Sequence, residues 1–278
     1  MAPFELAEPR SLREAIALLD TGEGTVRPMA GGTALMLMMK AGVLRPTRLV
    51  NLRRLGLETL EVDGQGALQV GAMVTLRSLE TSPLVKKSWP VMARTLRTLS
   101  NVRVRNVGRI GGHLAHGDPH MDLPPLLSAL GATVMITGPR GERTCPVENL
   151  YAGYLETTLA PGELITRVVV PPLGARRAAY LKCTTRSADD WPALGLAVVL
   201  GDGAARVFVS AATDKPTRLA AAEQILAGGL DERRLAQAAE AARELAIEGD
   251  LHGSAAYKKH LVGVYLRRAI HEARNPAH

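Results

Sequence analysis

The chain has 278 residues, 46% of them hydrophobic and 22% charged, which excludes a disordered polymer and suits a globular protein with a sizeable core. Its formal charge of +7, from 34 basic and 27 acidic groups, invites anionic partners, but with only 3% aromatics it lacks base-stacking platforms and argues against a nucleic-acid module. Residues 1–15 show no basic start followed by an apolar run, and the longest apolar stretches, Leu35–Met39 and Leu194–Leu200, are far too short to span a bilayer, so a cytoplasmic protein without a membrane span is expected.

Ser11-Leu-Arg-Glu14 is a capping box, so a helix is expected over Leu12–Asp20 with Gly22 behind it. A strand over Thr25–Ala30 runs into Gly31-Gly32-Thr33, and a helix over Ala34–Ala41 follows, closed by Gly42. Short strands are expected at Leu49–Leu52, Thr59–Val62 and Ala67–Gly71, the last two joined by Asp63-Gly64-Gln65-Gly66. Helical patterns come next at Thr75–Thr81 and Pro90–Leu99. Asn101–Asp122 has no clean period and is rich in Gly, His and Arg, and it reads as an ordered functional loop before a helix at Leu123–Leu130.

A hairpin is expected from Ala132–Thr137 and Glu142–Cys145, then a strand over Leu164–Val170. Pro171-Pro172-Leu173-Gly174 is the best linker. Beyond it come strands at Ala178–Thr184, Ala193–Leu200 and Ala205–Ala211, the last two joined by Gly201-Asp202-Gly203, and helices at Thr217–Ala227, Asp231–Ile247 and Ser254–Ala273. Strands followed by helices indicate an α+β domain. The last two helices read as core or subunit packing, and Glu223, Glu240 and Glu244 as solvated faces. Cys145 and Cys183, the two cysteines, match no metal-ligand spacing and read as small buried side chains in a reducing setting.

Two glycine-pair segments carry the chemistry. Ala30-Gly31-Gly32-Thr33 sits between a strand and a helix, where the backbone can approach a diphosphate and the helix start is electropositive. Val107-Gly108-Arg109-Ile110-Gly111-Gly112-His113 continues into Leu114-Ala115-His116-Gly117-Asp118-Pro119-His120-Met121-Asp122. Neither is a Rossmann turn or a Walker loop, so a nucleotide has to be held another way, with the second loop clamping the same diphosphate from the opposite side. Arg94, Arg97, Arg103, Arg105 and Arg109, with no acid among them from 94 to 109, form either a solvated basic face or a site for phosphates or an acidic partner. The alternative reading of the second segment is a metal-binding protein using His113, His116, Asp118 and His120. Ser187 and Asp190 lack a nucleophile-elbow context and support no catalytic triad.

The pieces AGGTALMLMMKAGVLRPTRLVNL (Ala30–Leu52) and VRNVGRIGGHLAHGDPHMDLPPLL (Val104–Leu127) resemble the FAD-binding subunit of the xanthine dehydrogenase and carbon monoxide dehydrogenase family of molybdenum hydroxylases. In that family an AGGT or AGGH loop and an R-N-x-G-T-I-G-G-N/S loop with a following H-x-D-P-x-x-D occur in this order. The likeness runs nearly end to end, through Leu164–Pro171, the Tyr180–Asp190 region and the last helix. It implies an α+β chain: a two-subdomain FAD module of the p-cresol-methylhydroxylase and vanillyl-alcohol-oxidase type over residues 1–54 and 55–172, then a C-terminal α+β domain over 173–278.

The resemblance also implies roles. Pro28, Met29, Ala30, Gly31, Gly32, Thr33, Ala34 and Leu35 form the first FAD loop; Leu99 and Ser100 touch the cofactor just ahead of the second. Arg109, Ile110, Gly111, Gly112 and His113 form that second loop, Asp122 is an acidic FAD contact, and Ile165 and Lys182 approach from later strands near the flavin ring. No residue of this chain is implied as a catalyst and none as a metal ligand. The implied partners are a molybdopterin-binding large subunit, a small subunit with two 2Fe-2S clusters, in a heterotrimer or a dimer of heterotrimers, and an external electron acceptor such as NAD, oxygen or a quinone. Two positions depart from the family: Arg109 replaces the usual Thr or Ser, and His113 the usual Asn or Ser. With two cysteines, the chain is expected to lack the four-iron cluster that some members carry.

Overall fold

A computed structural model describes residues 2–22, 24–201 and 203–275. Among the described residues, three sheets of three to five strands follow one another along the chain, beside one two-stranded pair. The first holds β1 (Glu5–Ala7), β2 (Val26–Met29) and β3 (Arg48–Asn51), with helices α1 (Leu12–Leu19) and α2 (Thr33–Lys40) as the crossovers. Both β1 and β2 pair with β3 in parallel, through Glu5 and Val26 opposite Arg48, as connections by helices require. Ser11 caps α1 by accepting the Glu14 N–H at 3.2 Å, while Glu14 accepts from the Arg10 N–H at 2.8 Å, so the reciprocal partner of the box is one residue before the cap.

The chain then forms β4 (Leu60–Val62) and β5 (Leu68–Gly71) and a run of helices: α3 (Leu76–Thr81), α4 (Pro83–Ser88), α5 (Pro90–Thr98), α6 (Val102–Val107), α7 (Ile110–Ala115) and α8 (Leu123–Leu130). It returns as the hairpin β6 (Thr133–Gly138) and β7 (Gly141–Pro146), the short pair β8 (Tyr151–Gly153) and β9 (Glu156–Thr157), and β10 (Leu164–Val170). The resulting antiparallel sheet has the order β4-β5-β10-β6-β7, with the helices packed on it around a core that includes Leu68, Val134, Val168, Leu126 and Leu127. Trp89, 1% exposed, donates its indole N–H to the Pro171 carbonyl at 2.8 Å and so anchors the linker to this core.

The last unit holds β11 (Arg177–Thr184), β12 (Pro192–Gly201), β13 (Ala204–Ser210) and β14 (Thr217–Arg218) in that order, then α9 (Ala220–Leu226), α10 (Glu232–Arg243) and α11 (Ala255–Arg274). β12 is buried on both faces, and its alternation sorts side chains between two cores. Leu194, Leu196 and Val198 point to the core under α9–α11; Ala197 and Val199, with Phe208 of β13, join the core of the preceding sheet.

Several expectations change. Asn101–Asp122 is not loop throughout but contains α6 and α7, whose six-residue lengths are too short to show a period. α4 was missed because Ser82-Pro83, its cap and first residue, also reads as a break. Thr217–Ala227 divides into a two-residue strand and a helix that begins at Ala220, and the helix expected to reach Ile247 stops at Arg243. Glu223 is no solvated side chain: it is 8% exposed, accepts the Val207 N–H at 2.7 Å and pairs with Arg218 at 2.8 Å. Cys183 is half-buried rather than buried, and Asp202 of the β12–β13 turn lies outside the described residues. Among the described residues no helix is long and apolar enough to cross a membrane.

Phe208 fills the seam between β13 and the preceding core at 1% exposure. Phe208→Ala is expected to cost about 3–5 kcal/mol, read as a lowered urea midpoint with an unchanged slope; a shift worth well under ~1 kcal/mol would refute the packing role.

Candidate functional site

The two glycine segments meet because neither has a side chain at the point of contact. A Cβ on Gly31 would lie 2.2 Å from the Val107 carbonyl oxygen and 3.0 Å from the Gly108 Cα, so the turn after β2 rests on the end of α6. A Cβ on Gly111 would lie 2.6 Å from the Ala72 Cβ and 3.0 Å from the Ala72 carbonyl, which seats α7 on the chain just beyond β5. On Gly112 it would come within 3.1 Å of the Ala30 Cβ. These glycines therefore do more than leave room for a ligand: they let protein backbone approach protein backbone.

Between the segments the first helix start stays open. Gly32 adopts φ +70 and caps α2 with no side-chain bond, and the Met36 N–H already closes on the Gly32 carbonyl at 2.9 Å. The N–H groups of Thr33, Ala34 and Leu35 precede the first intrahelical bond and have no protein acceptor among the described residues. They form one wall of a cavity of about 520 Å³, a volume typical of a site for a sizeable organic ligand. The second segment is used differently: the Ile110 and Gly111 N–H groups already donate to the Val74 and Ala72 carbonyls, at 3.1 and 2.9 Å.

Arginine shapes the neighbouring wall. Arg105, 8% exposed, donates to Glu80 at 2.9 Å, to the Leu99 carbonyl at 3.1 Å and to the Ser100 carbonyl. It thereby holds Ser100, a non-glycine residue at φ 52, against the cavity. Burial pushes the Glu80 carboxyl up, but Arg77 and Arg105 outweigh it and keep it below the usual carboxylate range. Arg109 donates to the Met73 carbonyl at 2.9 Å, while its Nε is buried without a partner among the described residues. Of the five-arginine cluster, then, Arg105 is structural and Arg97 and Arg103 are exposed.

The far wall comes from Asp122 and the segment Asp189–Trp191 before β12, with β11 behind them. Asp122, 5% exposed, accepts from the Tyr180 hydroxyl at 2.7 Å and from Lys182 Nζ at 3.3 Å. Burial raises the Asp122 carboxyl above its ordinary range against the pull of both. Lys182 also donates to the Thr98 carbonyl at 2.8 Å and the Asp190 carbonyl at 3.2 Å, so its ammonium ties three chain segments together behind the cavity.

Of the residues expected from sequence, Pro28, Ala30 through Leu35, Leu99, Ser100, Arg109, Gly111 through His113, Asp122 and Ile165 line this one cavity. Met29, Ile110 and Lys182 do not: Met29 ends β2, Ile110 is fully buried at the start of α7, and Lys182 reaches the site through Asp122. Sequence reasoning missed Leu57, Met73 and Trp191 as lining residues and weighed His120, which also lines the cavity, as a metal ligand. Only Trp191, alone after the polar run Thr184–Asp190, offered a signal.

Among the described residues no cluster of His, Cys, Asp and Glu is arranged to hold a metal ion. His120 has both ring nitrogens on carboxylates, and burial presses His113 down to about 3, leaving it neutral with a buried, unpartnered Nε2.

Comparison with known proteins adds the family. The family described as the FAD binding domain in molybdopterin dehydrogenase matches residues 2–173, and the CO dehydrogenase flavoprotein C-terminal domain matches residues 179–273. This chain therefore belongs to the FAD-binding medium subunits of the molybdenum hydroxylase family of oxidoreductases. The carbon monoxide dehydrogenase medium chain of Afipia carboxidovorans is 33% identical over 98% of this chain and 96% of its own length. The nicotine 6-hydroxylase medium subunit of Paenarthrobacter nicotinovorans is 35% identical over 96% of each. Among solved structures, reconstituted CO dehydrogenase from Oligotropha carboxidovorans superposes with a TM-score of 0.93 at 32% identity, covering 99% of both chains.

Two outcomes check the geometry. Glu80→Ala strands a buried Arg105 and is expected to cost about 3 kcal/mol or more at neutral pH. Because Glu80 titrates below its ordinary value in the folded chain, the pair stabilises above the carboxylate range, and the difference from the parent should narrow as pH falls through it. Gly111→Val meets backbone, whereas Gly112→Val meets only one methyl group; the first should therefore lower the thermal midpoint more than the second, and the reverse order would refute the loop contacts described.

Proposed function

We propose that this chain holds FAD in the cavity between its two glycine segments and relays electrons through it, without itself oxidising the organic substrate. The observation that carries this reading is the open start of α2, with three free N–H groups facing a cavity walled by both segments. Such donors, reinforced by the helix dipole, suit a diphosphate. Thr33, Ala34 and Leu35 bind it through their backbone, with Gly31 and Gly32 shaping the turn. Gly112, His113 and Arg109 close the opposite side, and Leu99, Ser100, Asp122 and Ile165 bound the remainder. Met29, Ile110 and Lys182 act from behind these residues.

When bound, FAD supplies the chemistry of accepting electrons singly or in pairs. The chain's own part is to exclude water with Leu57, Met73 and Leu164, to keep Asp122 fixed by Tyr180 and Lys182, and to present His113 as a neutral group. In the assembly we infer, a molybdopterin-binding large subunit oxidises the substrate and the 2Fe-2S clusters of a small subunit deliver the electrons here. An external acceptor, NAD, oxygen or a quinone, removes them. The complex is a cytoplasmic heterotrimer or dimer of heterotrimers. Carbon monoxide, nicotine and glyceraldehyde appear in the names of similar medium subunits, and the substrate is chosen in another chain.

The flavin-free chain titrated with FAD should turn yellow and bind one equivalent. Charge-assisted bonds to the diphosphate are worth about 1.5–3 kcal/mol each, so riboflavin should bind at least ~100-fold more weakly. Equal affinity for the two, or no flavin uptake at all, would defeat the placement. Molybdenum and iron counts on co-purifying subunits test the assembly.

A further inference from the structure

One set of charged side chains closes into a ring across the boundary between the cavity and the C-terminal unit. His120 lines the cavity, and its Nδ1 lies 2.9 Å from Asp118 Oδ1, which also accepts the His120 backbone N–H at 2.8 Å. Its Nε2 lies 3.1 Å from Asp250 Oδ2, in the turn between α10 and α11. The same Asp250 oxygen lies 2.6 Å from Nζ of Lys258, which is 1% exposed and donates to the Ala211 carbonyl at 2.7 Å. The Ala211 N–H in turn donates to the carbonyl of Pro119, the neighbour of His120, at 2.9 Å. Ala211 sits at φ 63, a conformation unfavourable for a residue with a Cβ, and both of its amide groups are engaged in this ring.

The geometry fixes a protonation state. A neutral imidazole has one N–H and can satisfy only one carboxylate; with both ring nitrogens on carboxylate oxygens, the ring must donate twice. The charges then balance, Asp118 and Asp250 against His120 and Lys258. Other groups around His120 are His116 on its own segment, His252 at 5.4 Å between ring centroids, and the cavity-lining Asp189 and Asp190. Trp191 stacks on its face at 5.3 Å and 27°, an arrangement that favours a cation.

We propose that His120 is held as an imidazolium in the cavity wall, where its charge favours the reduced, anionic flavin over the oxidised, neutral ring. This rests on FAD occupying the cavity. Burial works against the charge, but the hydrogen bonds to Asp118 and Asp250 outweigh it and hold His120 above the ordinary histidine range. The contribution of the ring to stability is accordingly full below that ordinary range and is lost as pH rises through the elevated value.

The test compares the FAD-loaded full chain with His120→Gln and Asp250→Asn variants by spectroelectrochemical titration. His120→Gln leaves two carboxylates against Lys258 alone, and its midpoint should move to more negative potential. Asp250→Asn leaves one carboxylate against Lys258 and His120, and its midpoint should stay or move positive. A wall that had merely loosened would shift both in the same direction, and that result, or an unmoved midpoint in His120→Gln, overturns the proposal. Proton NMR of the flavin-free full chain supplies a second reading that survives misfolding of a variant. The His120 imidazole should titrate above the ordinary histidine value, and titration below it overturns the proposal without touching the FAD assignment. A chain that takes up no flavin defeats both, while the NMR titration still reports the charge of the ring.

Discussion

The backbone of Gly31 lies so close to the Val107 carbonyl that a single methyl group would collide with it. That contact locks the turn after β2 to the end of α6, and through Gly112 against Ala30 it aligns α7 with the start of α2. The cavity exists because two segments about eighty residues apart in the chain are pinned side by side yet leave the first turn of α2 uncovered. Interiors at close-packed density tolerate little slack, so the walls built on this contact inherit its position.

Charged side chains then secure the periphery of the site rather than its centre. Glu80 and Arg105 hold the turn at Ser100, Lys182 gathers Thr98, Asp122 and Asp190, and the His120 ring joins the second segment to α11. Each cation is buried with its counter-charge or with carbonyl oxygens, as burial of charge demands. The inner surface is left to backbone N–H groups, apolar side chains and a neutral His113.

Much of this was legible in the residues. Capping at Ser11, the strand, helix and strand between Thr25 and Leu52, and the run of strands then helices after Pro171 all follow from local pattern. Most of the expected cavity residues lie on one cavity because the two glycine segments were recognisable as a pair. What was not legible depends on distant partners. Nothing local distinguishes Glu223, which receives the Val207 N–H, from the solvated Glu240, or marks Lys258 as the counter-charge of Asp250. The reason for the glycines also changed: sequence suggested room for a diphosphate, whereas Gly31 and Gly111 face protein backbone. Lys182 was placed beside the ligand, yet its ammonium is occupied by carbonyls and Asp122 behind the wall.

The double-sided burial of β12 has a consequence for module exchange among relatives. Alternate residues of one strand belong to different cores, with Ala197 and Val199 facing α8 while Leu196 and Val198 face α11. A chimera joined at the Pro171–Gly174 linker would import a foreign inner surface and press it against this chain's α8. Grafting succeeds sterically only if the donor sheet brings equally small residues at those two places, because a close-packed seam has no slack for larger ones.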